Sequence, residues 1–363
     1  MDQLPINQNQ PDRAERIILG GSFRVRYRYF AAFLICAALL IAAFAVSSVW
    51  GSQGGGEWLQ EHWGSFWGSG GQDKNPFGDG TTVADGSAEN DGTTEALLED
   101  DPPLPDGATP VISADLSYLS LGEGYLHNTT AYTPDISELL LRDIRSEVGN
   151  GPLVLILHTH TSECYAEGGS SYFDGVVGDV TYSRETERHV LAVGETLCRT
   201  LNENGIVTIH CTAMHDDPTL SGSYDRAAES IRFYLEQYPS IRYVIDLHRD
   251  AILNSNGEYI RAVTDVNGEA TAQVMAVVGI DGGGLACDGW EDNLALALQL
   301  RASLNAEETT LCRPVCLRNS TYNQEIAPYS LLLEIGTGAN SVEEAQRAAV
   351  LVGQALAALI RGQ

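Results

Sequence analysis

The stretch LVLILHTHTSECY, Leu153 to Tyr165, follows five apolar residues with two histidines, a glutamate and a cysteine within seven positions. Only eight histidines occur in 363 residues, so this crowding points to chemistry at the end of a strand. His160 and Glu163 stand in an H-x-x-E spacing that a tight turn brings to one side, and His248, in IRYVIDLHRD, supplies a distant second imidazole. Two nitrogens and one carboxylate oxygen are the ligand types of catalytic zinc, which keeps three protein ligands and one open position for water. Glu334, in YSLLLEIG, ends a third apolar run; there it would take a proton from a water that the metal has acidified. Each feature has a plainer explanation. A lone H-x-x-E arises by chance, a strand-end histidine is often a hydrogen-bonded core residue, and Glu334 would serve equally to pair Arg249 or Arg261. Three ionisable strand ends in one chain favour a shared site.

The neighbours of these residues extend the reading. His158 lies two positions before His160, and it is expected to orient a ligand or to replace His160 if the turn begins earlier. Asp246 stands in the same relation to His248. Arg249 is expected either to hold a substrate carboxylate or carbonyl or to pair with Asp250. Mixed nitrogen and oxygen ligands suit zinc without excluding cobalt or manganese. A rival chemistry uses Cys164 as nucleophile with His160 or His248 as base; the adjacent Glu163 argues against it, because a nearby negative charge raises a thiol pKa. A third reading is a non-catalytic binding scaffold that uses the same cleft without cutting, for which Glu334 has no use. Of seven cysteines, Cys36 falls in an apolar run and the other six form no C-x-x-C unit, which reads as small buried side chains.

Buried elements must position this chemistry. LVLILH, IVTIH, IRYVIDLH, AQVMAVVGI and YSLLLEIG read as strands. Between them, 184–202, 224–238 and 291–305 read as amphipathic helices, and a last helix over 341–360 opens with the capping-box pattern Ser341-Val-Glu-Glu344. Continuous apolar strands alternating with helices predict an α/β fold, a mostly parallel central sheet flanked by helices on both faces. Ligands in such folds gather beyond the carboxyl ends of the strands.

Around that domain the composition changes. Tyr29 to Trp50 is an uncharged apolar run, long enough for a transmembrane helix of ~20 residues. Five arginines precede it within 13–28 and acidic residues follow, which predicts a cytoplasmic tail over 1–28, one membrane pass over 29–50, and everything beyond it outside the cytoplasm. Residues 51–110, rich in Gly and acidic side chains, are expected to be a disordered linker, and 111–363 the catalytic domain. With 49 acidic against 21 basic residues and a net charge of −28, nucleic acid is excluded as a partner.

HTHTSE, DLHRD and LLLEIG, in this order, resemble the stage II sporulation protein P family, and LLLEIGTGANSVEEA resembles the closing strand and helix of the related zinc N-acetylmuramoyl-L-alanine amidases. The resemblance spans about 151–360. It implies an amidase-like fold and a membrane-anchored zinc enzyme of endospore formers. That enzyme hydrolyses the bond between N-acetylmuramic acid and L-alanine in peptidoglycan, with cleavage of stem-peptide crosslinks a further activity of some members. It also implies action at the forespore septum during engulfment, with stage II sporulation proteins D and M as partners. By motif, His160, Glu163 and His248 fall on the metal and Glu334 on the general base. Two departures stand out: Cys164 occupies a position where a serine is expected, and the related amidases carry their carboxylate ligand further along, where this chain has Glu185 and Glu187. On that pattern Glu187 replaces Glu163.

Overall fold

The structure, a computed structural model, describes residues 104–105, 108–117, 125–167, 171–173, 182–183, 189–280, 287–306 and 309–363. These lie in the compact unit Asn75–Gln363. Its elements run β1 (Thr109–Ala114), β2 (Leu126–Asn128), α1 (Ile136–Leu141), β3 (Val154–Leu157), β4 (Tyr172–Phe173), α2 (Val190–Glu203), β5 (Thr208–His210), α3 (Ser223–Gln237), β6 (Tyr243–Asp250), β7 (Tyr259–Val266), β8 (Glu269–Ala272), β9 (Val274–Gly279), α4 (Trp290–Leu304), β10 (Val315–Arg318), β11 (Tyr329–Thr337) and α5 (Val342–Arg361).

A seven-stranded sheet has the order β2-β10-β9-β11-β6-β3-β5. β11, β6, β3 and β5 run parallel to one another, as do β9, β10 and β2, and the two blocks meet in the antiparallel pair β11/β9. A second sheet, β4-β1-β7-β8, combines a parallel pair with antiparallel ones. The expected mostly parallel sheet is therefore corrected to two mixed sheets. The physical reason lies between β6 and β9. A parallel return needs a crossover of a dozen or more residues, usually a helix. Here the chain instead makes a β7–β8 hairpin whose turn residues Asn267 and Gly268 have φ of 57° and 85°, the left-handed pair that two-residue hairpin turns require, and continues into β9.

No helix among the described residues is long and apolar enough to cross a membrane, and the transmembrane helix expected over 29–50 falls outside them, as does most of 51–110.

Helices cover both faces of the seven-stranded sheet. Val190, Val193, Leu197 and Leu201 of α2 pack with α4, α5 and the strand residues Val154, Ile156, Ile245 and Leu333 in the main core. Leu155, Leu157 and Val244 face the other way, against Ala227 and Ile231 of α3. This alternation along each strand follows from side chains pointing to opposite faces at successive positions. α5 begins at a complete capping box: Ser341 Oγ accepts from the Glu344 N–H at 3.3 Å, and the Glu344 carboxylate accepts from the Ser341 N–H at 3.2 Å. All six described cysteines are buried and none forms a disulfide.

Candidate active site at the strand ends

Because β3, β5, β6 and β11 run in one direction, their carboxyl ends share one edge of the sheet. The turn after β3 is fixed by its own small polar residues. Glu163 N–H donates to the His160 carbonyl at 3.2 Å. Thr161 Oγ1 donates to the His158 carbonyl at 2.9 Å, and Ser162 N–H donates to Asp216 Oδ2 at 2.9 Å. Thr159 gives both its N–H and its hydroxyl to Asp246, at 2.8 and 2.6 Å, which ties this turn to β6.

His160, Glu163, Asp246 and His248 come together there. The rings of His160 and His248 meet edge to face with centroids 5.3 Å apart. His248 Nδ1 lies 3.3 Å from Glu163 Oε2 and its Nε2 lies 3.0 Å from Asp246 Oδ1. Burial opposes a charge on His248, but the Asp246 and Glu163 carboxylates outweigh it and hold this imidazole well above its ordinary pKa. The carboxylates respond in kind. Against the cost of burial, Arg249 and then His248 bring Glu163 down to about 2, and His248 with Thr159 brings Asp246 to about 2. For His160 burial prevails and lowers its pKa, with Glu163 in opposition.

Glu334 stands beside His248, its register partner in the β11/β6 pair. The pairing slips immediately afterwards, between Glu334 and Thr337, at Gly336 with φ of 72°. That backbone conformation is open to glycine at little cost, and a Cβ there would meet Asn340 Oδ1 at 2.9 Å. The Glu334 carboxyl is fully buried and neither oxygen makes a hydrogen bond among the described residues. Burial, reinforced by Asp250, raises its pKa well above the carboxylate range, with His248 opposing. A buried carboxyl with free lone pairs and a high proton affinity suits a group that accepts and returns a proton.

The remaining expected residues take other places. His158 is directed away from this cluster: its Nδ1 lies 2.8 Å from the Leu247 carbonyl and its Nε2 2.9 Å from His210 Nε2. Burial, then His210, lowers its pKa to about 3. Arg249 lies over the Tyr182 ring at 4.8 Å and within 3.8 Å of Glu163 Oε1, while its N–H donates to Glu163 Oε2 at 3.1 Å. Asp250 pairs with Arg313 at 2.9 Å instead, and Arg261 pairs with Glu344. Glu185 and Glu187 lie outside the described residues.

The donors present, two imidazoles with carboxylates around them, are of the kinds zinc accepts. Among the described residues, however, no group of three or more His, Cys, Asp or Glu side chains has the geometry of a metal site. Glu163 is turned toward Arg249 and His248. The imidazoles of His160 and His248 are donor types that zinc accepts, and the expected carboxylate ligand is Glu163 or Glu187, the latter outside the described residues.

Sequence reasoning missed the loop 211–222 and the first residues of α3. Asp216 holds Ser162, and His215 Nδ1 lies 2.8 Å from the His158 carbonyl. Ser223 Oγ reaches His160 Nδ1 at 3.4 Å, and the Tyr224 ring meets His160 edge to face at 5.6 Å. The signal was available in SGSYD, small residues at the start of a helix that open directly opposite a strand end.

Comparison with known proteins gives two kinds of likeness. Among solved structures, the apo N-acetylmuramyl-L-alanine amidase Ami1 from Mycobacterium abscessus covers 58% of this chain and 98% of its own at 17% identity and a TM-score of 0.34. The catalytic domain of the amidase CwlV from Bacillus (Paenibacillus) polymyxa covers 58% and 97% at 13% identity and a TM-score of 0.32. Both are distant. In sequence, stage II sporulation protein P of Bacillus subtilis (strain 168) is 27% identical over 218 residues, 56% of this chain and 50% of the relative, so the chain spans about half the length of the curated relative it matches. The family model described as stage II sporulation protein P (SpoIIP) matches residues 113–357, well over half of the sequence. The chain belongs to the stage II sporulation protein P family.

Proposed function

We propose that this chain is a zinc-dependent peptidoglycan hydrolase that cleaves the amide bond between N-acetylmuramic acid and L-alanine of the stem peptide. The observation that carries this reading is the juxtaposition of His160, His248 and the buried, unpartnered Glu334 at adjacent strand ends. Family membership supports it. Zinc held by His160, His248 and a carboxylate from Glu163 or Glu187 would polarise the scissile carbonyl and acidify the attacking water. Glu334 takes the proton of that water into its buried carboxyl and returns it to the departing amine of L-alanine, so its net state is unchanged after one turnover. Asp246, fixed by Thr159, orients the His248 ring through Nε2, as carboxylates commonly do for metal-ligating histidines. Arg249, with its guanidinium on Tyr182, keeps Glu163 ionised.

On the family's pattern, the hydrolase is held at the membrane by its N-terminal segment, works outside the cytoplasm at the forespore septum during engulfment, and is partnered by stage II sporulation proteins D and M. Crosslink cleavage belongs to the same proposal.

Digestion of purified sacculi by the full chain, followed by mass spectrometry, tests the reaction. Stem peptides with a free L-alanine amino terminus are expected. Their release should stop in chelator, return with zinc, and be absent in His248→Ala. Release that persists in His248→Ala, or products cut within the glycan instead, would overturn the proposal.

A further inference from the structure

We infer that the Tyr224 hydroxyl is a catalytic group of this site, donating a hydrogen bond to the oxygen of the scissile carbonyl as negative charge develops on it. The inference rests on the hydrolase reading above and adds to it a residue that neither the sequence motifs nor the metal chemistry calls for.

Tyr224 is the second residue of α3, and its ring is held from several sides. Its edge meets His160 at 5.6 Å with an interplanar angle of 88°, and Tyr322 packs against it at 6.1 Å. Its carbonyl accepts from Asn323 Nδ2 at 2.8 Å, which fastens the start of α3 to the turn before β11. The preceding residue, Ser223, reaches His160 Nδ1. Backbone and ring are thus both fixed against the histidine that the proposed reaction uses.

The hydroxyl itself is the anomaly. It is buried and makes no hydrogen bond among the described residues, although a buried tyrosine normally finds a partner for its O–H. Its electrostatic neighbours are Asp246, Tyr322, Glu334 and Glu163, the carboxylates of the site already described together with one other phenol. None of them accepts its proton in a hydrogen bond, so a rigidly held donor remains unused among the groups where the reaction takes place. A second unpartnered buried phenol among the described residues, Tyr259, packs with Phe173 and Ala339 and has Arg249 as its first electrostatic neighbour rather than the histidine pair.

A substrate carbonyl oxygen supplies the missing acceptor. A neutral carbonyl accepts weakly, whereas the oxyanion formed on attack accepts strongly, so a preorganised donor stabilises the transition state more than bound substrate. No proton is transferred. The phenol keeps its hydrogen while Glu334 carries the proton that moves.

Tyr224→Phe in the full chain tests the assignment, because it removes one oxygen and keeps the ring edge on His160. With sacculi as substrate, the variant should lose about 100-fold in kcat, near the lower end of what one oxyanion donor contributes, with KM within about twofold. Zinc content and melting temperature should match the wild type, since no hydrogen bond of the resting protein is lost. Equal kcat in the two proteins overturns the assignment. So does a fall in kcat that comes with lost zinc or a lower melting temperature, which marks a structural role. Sacculi left intact by the wild type itself overturn the hydrolase reading, and this assignment with it.

Discussion

Two glutamates ten residues apart, Glu334 at the end of β11 and Glu344 in the first turn of α5, are both buried, at 0% and 4% exposure. Their surroundings are opposite. Glu344 accepts from the Ser341 N–H at 3.2 Å, from Asn340 Nδ2 at 2.8 Å and from Arg261 Nε at 3.2 Å, whereas Glu334 accepts from none of the described residues. The same burial therefore has two outcomes. For Glu344, Arg261 and then Asn340 overcome burial and lower the pKa; for Glu334, burial is reinforced by Asp250 and the pKa rises. A carboxylate satisfied on every side stabilises the fold, and one left bare retains the proton affinity that catalysis needs.

The sharpest way to break this contrast is Glu334→Gln, which preserves shape and removes proton transfer. Turnover on sacculi should fall by about 10³-fold or more, within the range that general acid–base groups contribute, while thermal unfolding shows no loss of stability. A variant that unfolds early and retains turnover would reverse the roles assigned here. Glu344→Ala should do the converse. Losing the cap and the partly exposed Arg261 pair is expected to cost about 1–3 kcal/mol in denaturant unfolding, with kcat of the folded fraction unchanged. The smallest effect concerns pH. Because the folded-state pKa of Glu344 lies below its unfolded value of about 4.3, its contribution is present above that value and is lost as pH falls through the folded-state pKa. Glu344→Gln should flatten this acid limb of the stability curve, and an unaltered limb in the variant would refute the contribution.

The comparison also shows why one glutamate was easier to read than the other. The role of Glu344 is local: Ser341-Val-Glu-Glu344 is a capping box within four residues, and both of its hydrogen bonds form. Glu334 depends on a register with His248, 86 positions earlier, and on the bulge at Gly336. The β7–β8 hairpin lies between these cases. Its Asn267-Gly268 turn is a strong local signal, yet the pairing of β7 with β1 across some 150 residues leaves no trace in the local pattern. The partners of the arginines were equally hidden. Asp250 adjoins Arg249 in sequence, but successive side chains of β6 point to opposite faces, so Arg249 meets Glu163 and Asp250 meets Arg313.

By itself, the sequence determined the periodic elements and the chemistry available to them. Apolar spacing marked α2 and α5, and the strands carrying His248 and Glu334, because periodicity, capping and residue type act within a few positions. Only the tertiary structure decided that β9 runs against β11, that the Thr159–Asp246 clamp joins two strand ends, and that Tyr224 packs on His160. Those outcomes depend on which distant segments exclude water together, and that free energy belongs to the packed whole rather than to any short stretch of chain.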